Sequence, residues 1–218
     1  MKNFMITTLF LIFTLSALFA TPVLAEENMT MTNEGTNKIA LYNQATDLAN
    51  EGRFDEALLL IDQAIAADEN FTLALTTKSG IMIATGDYEG ALKAAEKATS
   101  IRPDQADGWV NMGTALIALE RYEESLSASE KAIEINPEYL EAWLNKGTAL
   151  GELGRYEEEL EASEKAIEIS PKDSRAWANK KYAENQIKKE TGKQDSPLSV
   201  FTILAAGICA MAVLKRRY

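Results

Sequence analysis

The chain of 218 residues is acidic, with 33 acidic and 22 basic residues, and it contains no histidine and a single cysteine, Cys209. This inventory excludes an internal disulfide, a cysteine–histidine zinc site and a cysteine or histidine nucleophile. All acidic residues lie between Glu26 and Asp195, where 18 basic residues leave a net charge of −15. Such a surface repels phosphate backbones, so we expect no nucleic-acid partner and favour basic proteins or solvated cations.

The N-terminus has the pattern of a secretory signal peptide over residues 1–25. Lys2 precedes a long apolar run, and Val23 and Ala25 are small residues at the positions that a signal peptidase inspects. The alternative is an N-terminal membrane helix that is not cleaved. Residues 26–37 are polar, and we predict that they form a flexible linker.

The centre of the chain aligns with itself, without gaps, at a shift of 34 residues. Tryptophan, tyrosine and proline each recur at this spacing, and we interpret the tryptophans as core anchors. The recurring residues are Trp109, Trp143 and Trp177; Tyr88, Tyr122 and Tyr156; and Pro103, Pro137 and Pro171. A period of this length is typical of stacked helical hairpins.

Each period contains two amphipathic helices. On the first helix of the third period, one face is formed by Trp109, Met112, Gly113 and Leu116. The second helix must end before the recurring proline, which has no amide hydrogen. Glycine between the two helices supplies left-handed backbone at Gly52, Gly86 and Gly154, whereas the third period has Glu120 there.

These residues resemble the tetratricopeptide repeat family over residues 38–188. The resemblance implies an all-α fold, a right-handed α-solenoid of about four helical hairpins closed by a C-terminal capping helix. The apolar residues near the C-terminus add a predicted transmembrane helix after the solenoid. The predicted repeats span about 38–71, 72–105, 106–139 and 140–173, and the capping helix spans 174–188. The first two repeats are degenerate, because Leu41 and Leu75 stand where tryptophan is usual.

By the same resemblance, the first helices of the repeats line a concave groove that binds an extended polypeptide. Asparagine recurs at the sixth repeat position, and its amide offers a peptide unit both a donor and an acceptor. Alternatively, these asparagines belong to the ordinary repeat pattern and are solvated or bonded to a neighbouring helix. The predicted groove residues are Asn43, Asn111, Asn145 and Asn179 at the sixth position, Tyr42 at the fifth, with Val110 and Leu144 equivalent to it, and Thr114, Thr148 and Tyr182 at the ninth.

Runs of glutamate begin two of the second helices, at residues 123–124 and 157–159. Carboxylates there complement the positive end of the helix dipole, so we interpret both runs as solvated faces. No catalytic residue, metal site or cofactor is predicted. Asn28 and Asn70 each begin an N-glycosylation pattern, whose use the sequence does not decide.

The C-terminus is predicted to be a linker at residues 189–197, an apolar helix at 198–214 and a basic cytoplasmic tail at 215–218. The apolar helix would be about 25 Å long against a hydrocarbon core of about 30 Å. Because basic residues stay on the cytoplasmic side, the repeats are expected outside the membrane. The tail also resembles the C-terminal sorting signals of prokaryotic surface proteins, and a plain stop-transfer helix is the alternative.

The sequence therefore favours a non-enzymatic protein–protein interaction scaffold or assembly factor, displayed on the outer side of the cytoplasmic membrane. Its expected partner is a protein or peptide, and its expected membrane contact is the C-terminal helix. The alternative is a structural or cell-surface component that associates with itself. The partner's identity and the oligomeric state do not follow from the sequence.

Overall fold

The computed structural model describes residues 37–192, which form nine helices joined by short turns and contain no strand. Helix α1 comprises residues 37–50. The others are α2 (Phe54–Ala67), α3 (Thr72–Thr85), α4 (Tyr88–Ile101), α5 (Ala106–Ala118), α6 (Tyr122–Ile135), α7 (Leu140–Glu152), α8 (Tyr156–Ile169) and α9 (Ser174–Glu190). The predicted helical repeats are thus confirmed for the described residues.

The predicted terminal segments lie outside this range: the signal peptide at 1–25, the membrane or sorting helix at 198–214 and the basic tail at 215–218, together with most of both linkers. Between residues 37 and 192, none of the helices combines the length and the apolar character needed to cross a bilayer.

The described residues form two compact units that divide between Asn111 and Met112. In the first unit, Ile61 and Ile81 pack with several alanines. In the second, Leu126 and Leu150 pack with Ala149 and Ala162. Most of the buried apolar residues in residues 37–192 are alanines, so helices within each unit pack through small side chains.

The turns inside the hairpins adopt the left-handed backbone that the glycines predict. The φ angles of Gly52, Gly86 and Gly154 are 78°, 85° and 73°. Glu120 occupies the same place in the third hairpin with a φ of 58°, although it carries a side chain. The departure noted in the sequence is therefore a departure in residue type and not in turn geometry.

The tryptophans are less buried than their interpretation as core anchors predicts, although Trp143 packs against two buried clusters of the second unit. Trp177 is 50% exposed, and Trp109 and Trp143 are only half-buried. Each indole Nε1 donates to the carbonyl oxygen of the proline six residues earlier, at 3.0, 2.7 and 2.9 Å for Trp109, Trp143 and Trp177. Each tryptophan thus stabilises the turn between one repeat and the next through a hydrogen bond, which explains why tryptophan and proline recur together.

Candidate functional site

Three of the predicted asparagines donate to the first helix of the preceding repeat. Asn111 Nδ2 lies 3.0 Å from the carbonyl oxygen of Thr76. Asn145 Nδ2 donates to Thr114 Oγ1 at 2.9 Å, and Asn179 Nδ2 donates to Thr148 Oγ1 at 3.3 Å. The structure therefore contains the interhelical bonds of the alternative interpretation. An amide has a second N–H and a carbonyl oxygen, so contact with a bound peptide stays a prediction.

Glycines in the first helices make room for two of these amides. A β-carbon on Gly113 would lie 3.2 Å from Asn145 Nδ2, and one on Gly147 would lie 3.4 Å from Asn179 Nδ2. Neighbouring helices therefore approach closely at these glycines, and the asparagine side chain of the next repeat lies in the contact.

Other predicted groove residues have different surroundings. Asn43 is exposed on α1, whereas Tyr42 is half-buried, packs 5.4 Å from the Phe71 ring and accepts a hydrogen bond from Thr77 Oγ1 at 3.3 Å. Val110 and Leu144 are buried, with exposed fractions of only 5% and 6%. The fifth position therefore contributes core residues at these two sites and not the apolar groove surface expected from the sequence.

The second unit brings Thr148, Asn179 and Tyr182 together at an open cavity of about 320 Å³. Gly151 and Glu152 of α7, Glu159 of α8 and Ala178 of α9 complete its lining. The Tyr182 side chain is 45% exposed, and its ring meets the Tyr156 ring edge-on at 6.2 Å between centroids. Hydroxyl, amide, carboxyl and aromatic groups thus converge on one concave surface.

Glu159 contradicts the prediction of a solvated face. It is 2% exposed, and its Oε2 atom has no hydrogen-bond partner, whereas Glu157 and Glu158 on the same turn are exposed. Burial, and then the negative charge of Glu152, raise the pKa of Glu159 to about 7. The repeat register held the signal that was missed, because Ala57, Ala91 and Ser125 occupy the equivalent position and are buried.

A second cavity of the same unit, about 470 Å³, lies beside Trp143 and is lined by charged residues of α7 and α8. Both of its lysines are already paired, Lys146 with Glu130 at 2.9 Å and Lys165 with Glu168 at 2.7 Å. It is the larger space, but it presents no buried polar atom in need of a partner. We therefore place the candidate site at the Glu159 cavity.

Two models of the tetratricopeptide repeat family match the chain, at residues 48–115 and 104–172, and together they cover more than half of it. A heat shock protein sti1 homolog of Schizosaccharomyces pombe is 36% identical over 63 residues, which are 29% of this chain and 11% of that protein.

Solved structures share the fold. MamA superposes with a TM-score of 0.65 at 21% identity, over 77% of this chain and 90% of MamA. TTC0263, a thermophilic tetratricopeptide protein of Thermus thermophilus, has a TM-score of 0.59 at 20% identity, over 79% of this chain and 99% of its own. At such identities the likeness shows the fold alone. From the matched repeats we conclude that this chain belongs to the tetratricopeptide repeat family.

Proposed function

We propose that the chain is a non-enzymatic protein–protein interaction scaffold or assembly factor, which binds an extended polypeptide along the first helices of its repeats. Tetratricopeptide repeat proteins generally mediate protein–protein interactions. The observation that carries the proposal is that Thr148, Asn179 and Tyr182, which the family resemblance assigns to the groove, line one open cavity. Polar groups on an open concave surface suit the backbone of an extended chain.

A binding role accounts for this cavity better than catalysis does. Glu152 and Glu159 both line it, and a pair of carboxylates is a familiar catalytic arrangement. However, Glu152 is exposed at the surface and the cavity is open to solvent, so water is not excluded from a reacting centre. The two carboxyls instead give the cavity an acidic character that favours a positively charged partner.

The proposed location is the outer side of the cytoplasmic membrane, with the repeats held there by residues 198–214 or transferred to the cell surface after cleavage near residue 197. Support comes from the apolar and basic residues at the two ends of the chain. Protease added to intact cells should degrade the repeats of an exported chain, whereas a cytoplasmic chain would be protected until the cells are lysed.

The binding function is tested by affinity capture with the full chain as bait against solubilised envelope proteins of the source cells. A second bait carries Asn111→Ala, Asn145→Ala and Asn179→Ala. A control bait carries Glu123→Ala and Glu157→Ala, which alter exposed residues of the second helices.

We expect a partner that the wild-type and control baits retain and the folded triple variant loses. Recovery of the bait protein alone, equally with all three baits, would contradict peptide binding. That result would instead favour the self-associating structural component.

A further inference from the structure

The proposed function leaves one group unexplained, the buried carboxyl of Glu159. Burial of a carboxylate without a partner is strongly unfavourable, and such groups are normally paired or hydrogen-bonded. Within residues 37–192, no donor reaches Glu159 Oε2. Because Glu159 also lines the open cavity, a donor that entered the cavity would lie beside this carboxyl.

The surrounding helices make space for this carboxyl. A β-carbon on Gly151 would lie 2.8 Å from Cδ and from both carboxylate oxygens of Glu159. The two preceding repeats have Ile83 and Ile117 at the position of Gly151, opposite the small residues Ala91 and Ser125. In the fourth repeat, Gly151 thus replaces the isoleucine and Glu159 replaces the small residue. This double replacement places a carboxyl at the wall of the cavity.

The charges around the carboxyl do not compensate it. Glu152 acts on it with the same sign. Among residues 37–192, no basic residue lines the cavity, and three basic residues of the surrounding helices and their turn have other partners: Arg155 pairs with Glu158 at 2.5 Å, Lys146 with Glu130 at 2.9 Å and Lys180 with Glu164 at 2.7 Å. A positive charge that entered the cavity would therefore meet two carboxyls without displacing an existing ion pair.

The volume and the remaining lining residues of the cavity suit a long basic side chain. A volume of about 320 Å³ exceeds the space of a few water molecules, each of which takes about 30 Å³. The Tyr182 ring offers an aromatic face to an aliphatic stem or to a cation, and Thr148 and Asn179 offer polar atoms beside it.

We propose that this cavity is a specificity pocket, in which Glu159 and Glu152 bind the lysine or arginine side chain of a polypeptide held along the first helices. The proposal rests on the proposed peptide-binding function and adds a preference for one class of side chain. Asn145 and Asn179 contact the backbone of the bound polypeptide, and Glu159 selects which side chain lies in the pocket.

The test begins with selection of random dodecapeptides on the full chain. An enriched peptide is then synthesised with arginine, or with the neutral isostere citrulline, at any basic position that the selection reveals. Affinity is measured by calorimetry for the wild type, Glu159→Gln and Glu157→Gln. We expect a basic residue at one fixed position, a loss of about tenfold or more with citrulline, and a similar loss in Glu159→Gln.

A double-mutant cycle separates the pocket from a structural effect. In Glu159→Gln the arginine and citrulline peptides should bind equally, whereas Glu157→Gln should keep the wild-type preference. Glu159→Ser, which copies Ser125 of the third repeat, serves as a second variant if glutamine perturbs folding. The proposed pocket would be contradicted if the enriched peptides showed no preference for a basic residue, or if Glu159→Gln still preferred arginine to citrulline. Peptide binding itself would not be contradicted by either result. Failure to enrich any peptide would overturn both proposals.

Discussion

At the scale of single residues, the environment of Glu159 shows how a side chain of ordinary type acquires an unusual property from its place in the repeat. Its neighbours Glu157 and Glu158 are exposed, and the Arg155 guanidinium holds the pKa of the Glu158 carboxyl below its usual range. Glu159, one residue further on, faces inward, and its pKa is raised to about 7. Two glutamates on one helical turn, Glu158 and Glu159, therefore have pKa values shifted in opposite directions.

Replacement of Glu159 by glutamine should stabilise the fold at alkaline pH and have little effect at acid pH. The carboxyl titrates near 4.5 in the unfolded chain and at about 7 in the fold. Below 4.5 it is protonated in both states. As the pH rises from 4.5 to 7 the unfolded state ionises first, so the wild type loses stability that the variant keeps.

Above pH 7 the variant should be more stable by about 1–2 kcal/mol. This is less than the full free-energy equivalent of the pKa shift, because the cavity that Glu159 lines is open to solvent and solvent screens the carboxyl. Denaturant unfolding at pH 4 and pH 8 measures the difference. The groups facing Glu159, namely Glu152, Tyr156 and Tyr182, are unchanged in the variant. Glu157→Gln, on the exposed side of the same helix, is the control. If the free energy of unfolding depended on pH in the same way in both variants, Glu159 would be solvated and the prediction wrong.

The predicted groove residues include three of the residues that line the cavity, but not Glu159. The family resemblance assigns the sixth and ninth repeat positions to one surface, and the spacing of 34 residues then locates Thr148, Asn179 and Tyr182 at those positions. The charged neighbours of Glu159 predict a solvated side chain. The burial of Ala57, Ala91 and Ser125 at the equivalent position decides its environment instead.

At the scale of helices and turns, the end of the first helix in each hairpin depends on one residue in left-handed backbone. At Gly86 the φ angle is 85°, and the amides of Gly86 and Asp87 donate to Ile83 and Met82. These bonds satisfy carbonyl groups that would otherwise be unpaired at the helix end. Glycine adopts this conformation without the steric penalty that a β-carbon introduces.

Replacement of Glu120 by glycine should stabilise the fold by about 0.5–1 kcal/mol, because it removes the strain of a side chain at a φ of 58°. Thermal unfolding should show a higher midpoint for Glu120→Gly and a nearly unchanged one for Glu120→Ala, which keeps the β-carbon. A lower midpoint for the glycine variant would show that the turn depends on the Glu120 side chain and not on its backbone.

The converse change, Gly86→Ala, should destabilise the fold by about 1 kcal/mol. A β-carbon at this position meets no atom within 4 Å, so the loss arises from backbone conformation and not from a clash. Comparison of the unfolding midpoints of Gly86→Ala and the wild type measures it. A midpoint equal to that of the wild type would contradict the role assigned to the turn.

The bounds of the helices were accessible from the sequence, and the role of the tryptophans was not. Helices α4, α6 and α8 end at Ile101, Ile135 and Ile169, each two residues before a proline, as the missing amide hydrogen requires. Periodicity alone, however, cannot distinguish a buried indole from one that lies over a turn. The bond from each tryptophan to a proline carbonyl oxygen is a tertiary detail that the hydrophobic pattern does not contain.

At the scale of the whole molecule, stability depends on a few large side chains among many alanines. Ile61 in the first unit, and Leu116 and Leu150 in the second, are the largest side chains that are fully buried among the described residues. Alanines allow helices to approach closely but bury little apolar area each. The large residues therefore carry a disproportionate share of the hydrophobic stabilisation.

Leu150→Ala should destabilise the fold by about 2–5 kcal/mol, since it leaves a cavity beside Leu126, Ala149 and Ala162 and the surrounding packing relaxes only partly. Denaturant unfolding measures the loss, and Leu59→Ala, at a position that is 62% exposed, provides the control. A change below about 1 kcal/mol for Leu150→Ala would contradict this packing.

The central claim, that an extended polypeptide lies along the first helices, is tested most directly by photo-crosslinking. A peptide enriched on the full chain is synthesised with a photoreactive residue at each position in turn, and the crosslinked residues are identified by mass spectrometry. We predict crosslinks to α5, α7 and α9, including residues next to Asn145 and Asn179, in an order that follows the peptide. Crosslinks concentrated on α4, α6 and α8 would contradict the claim.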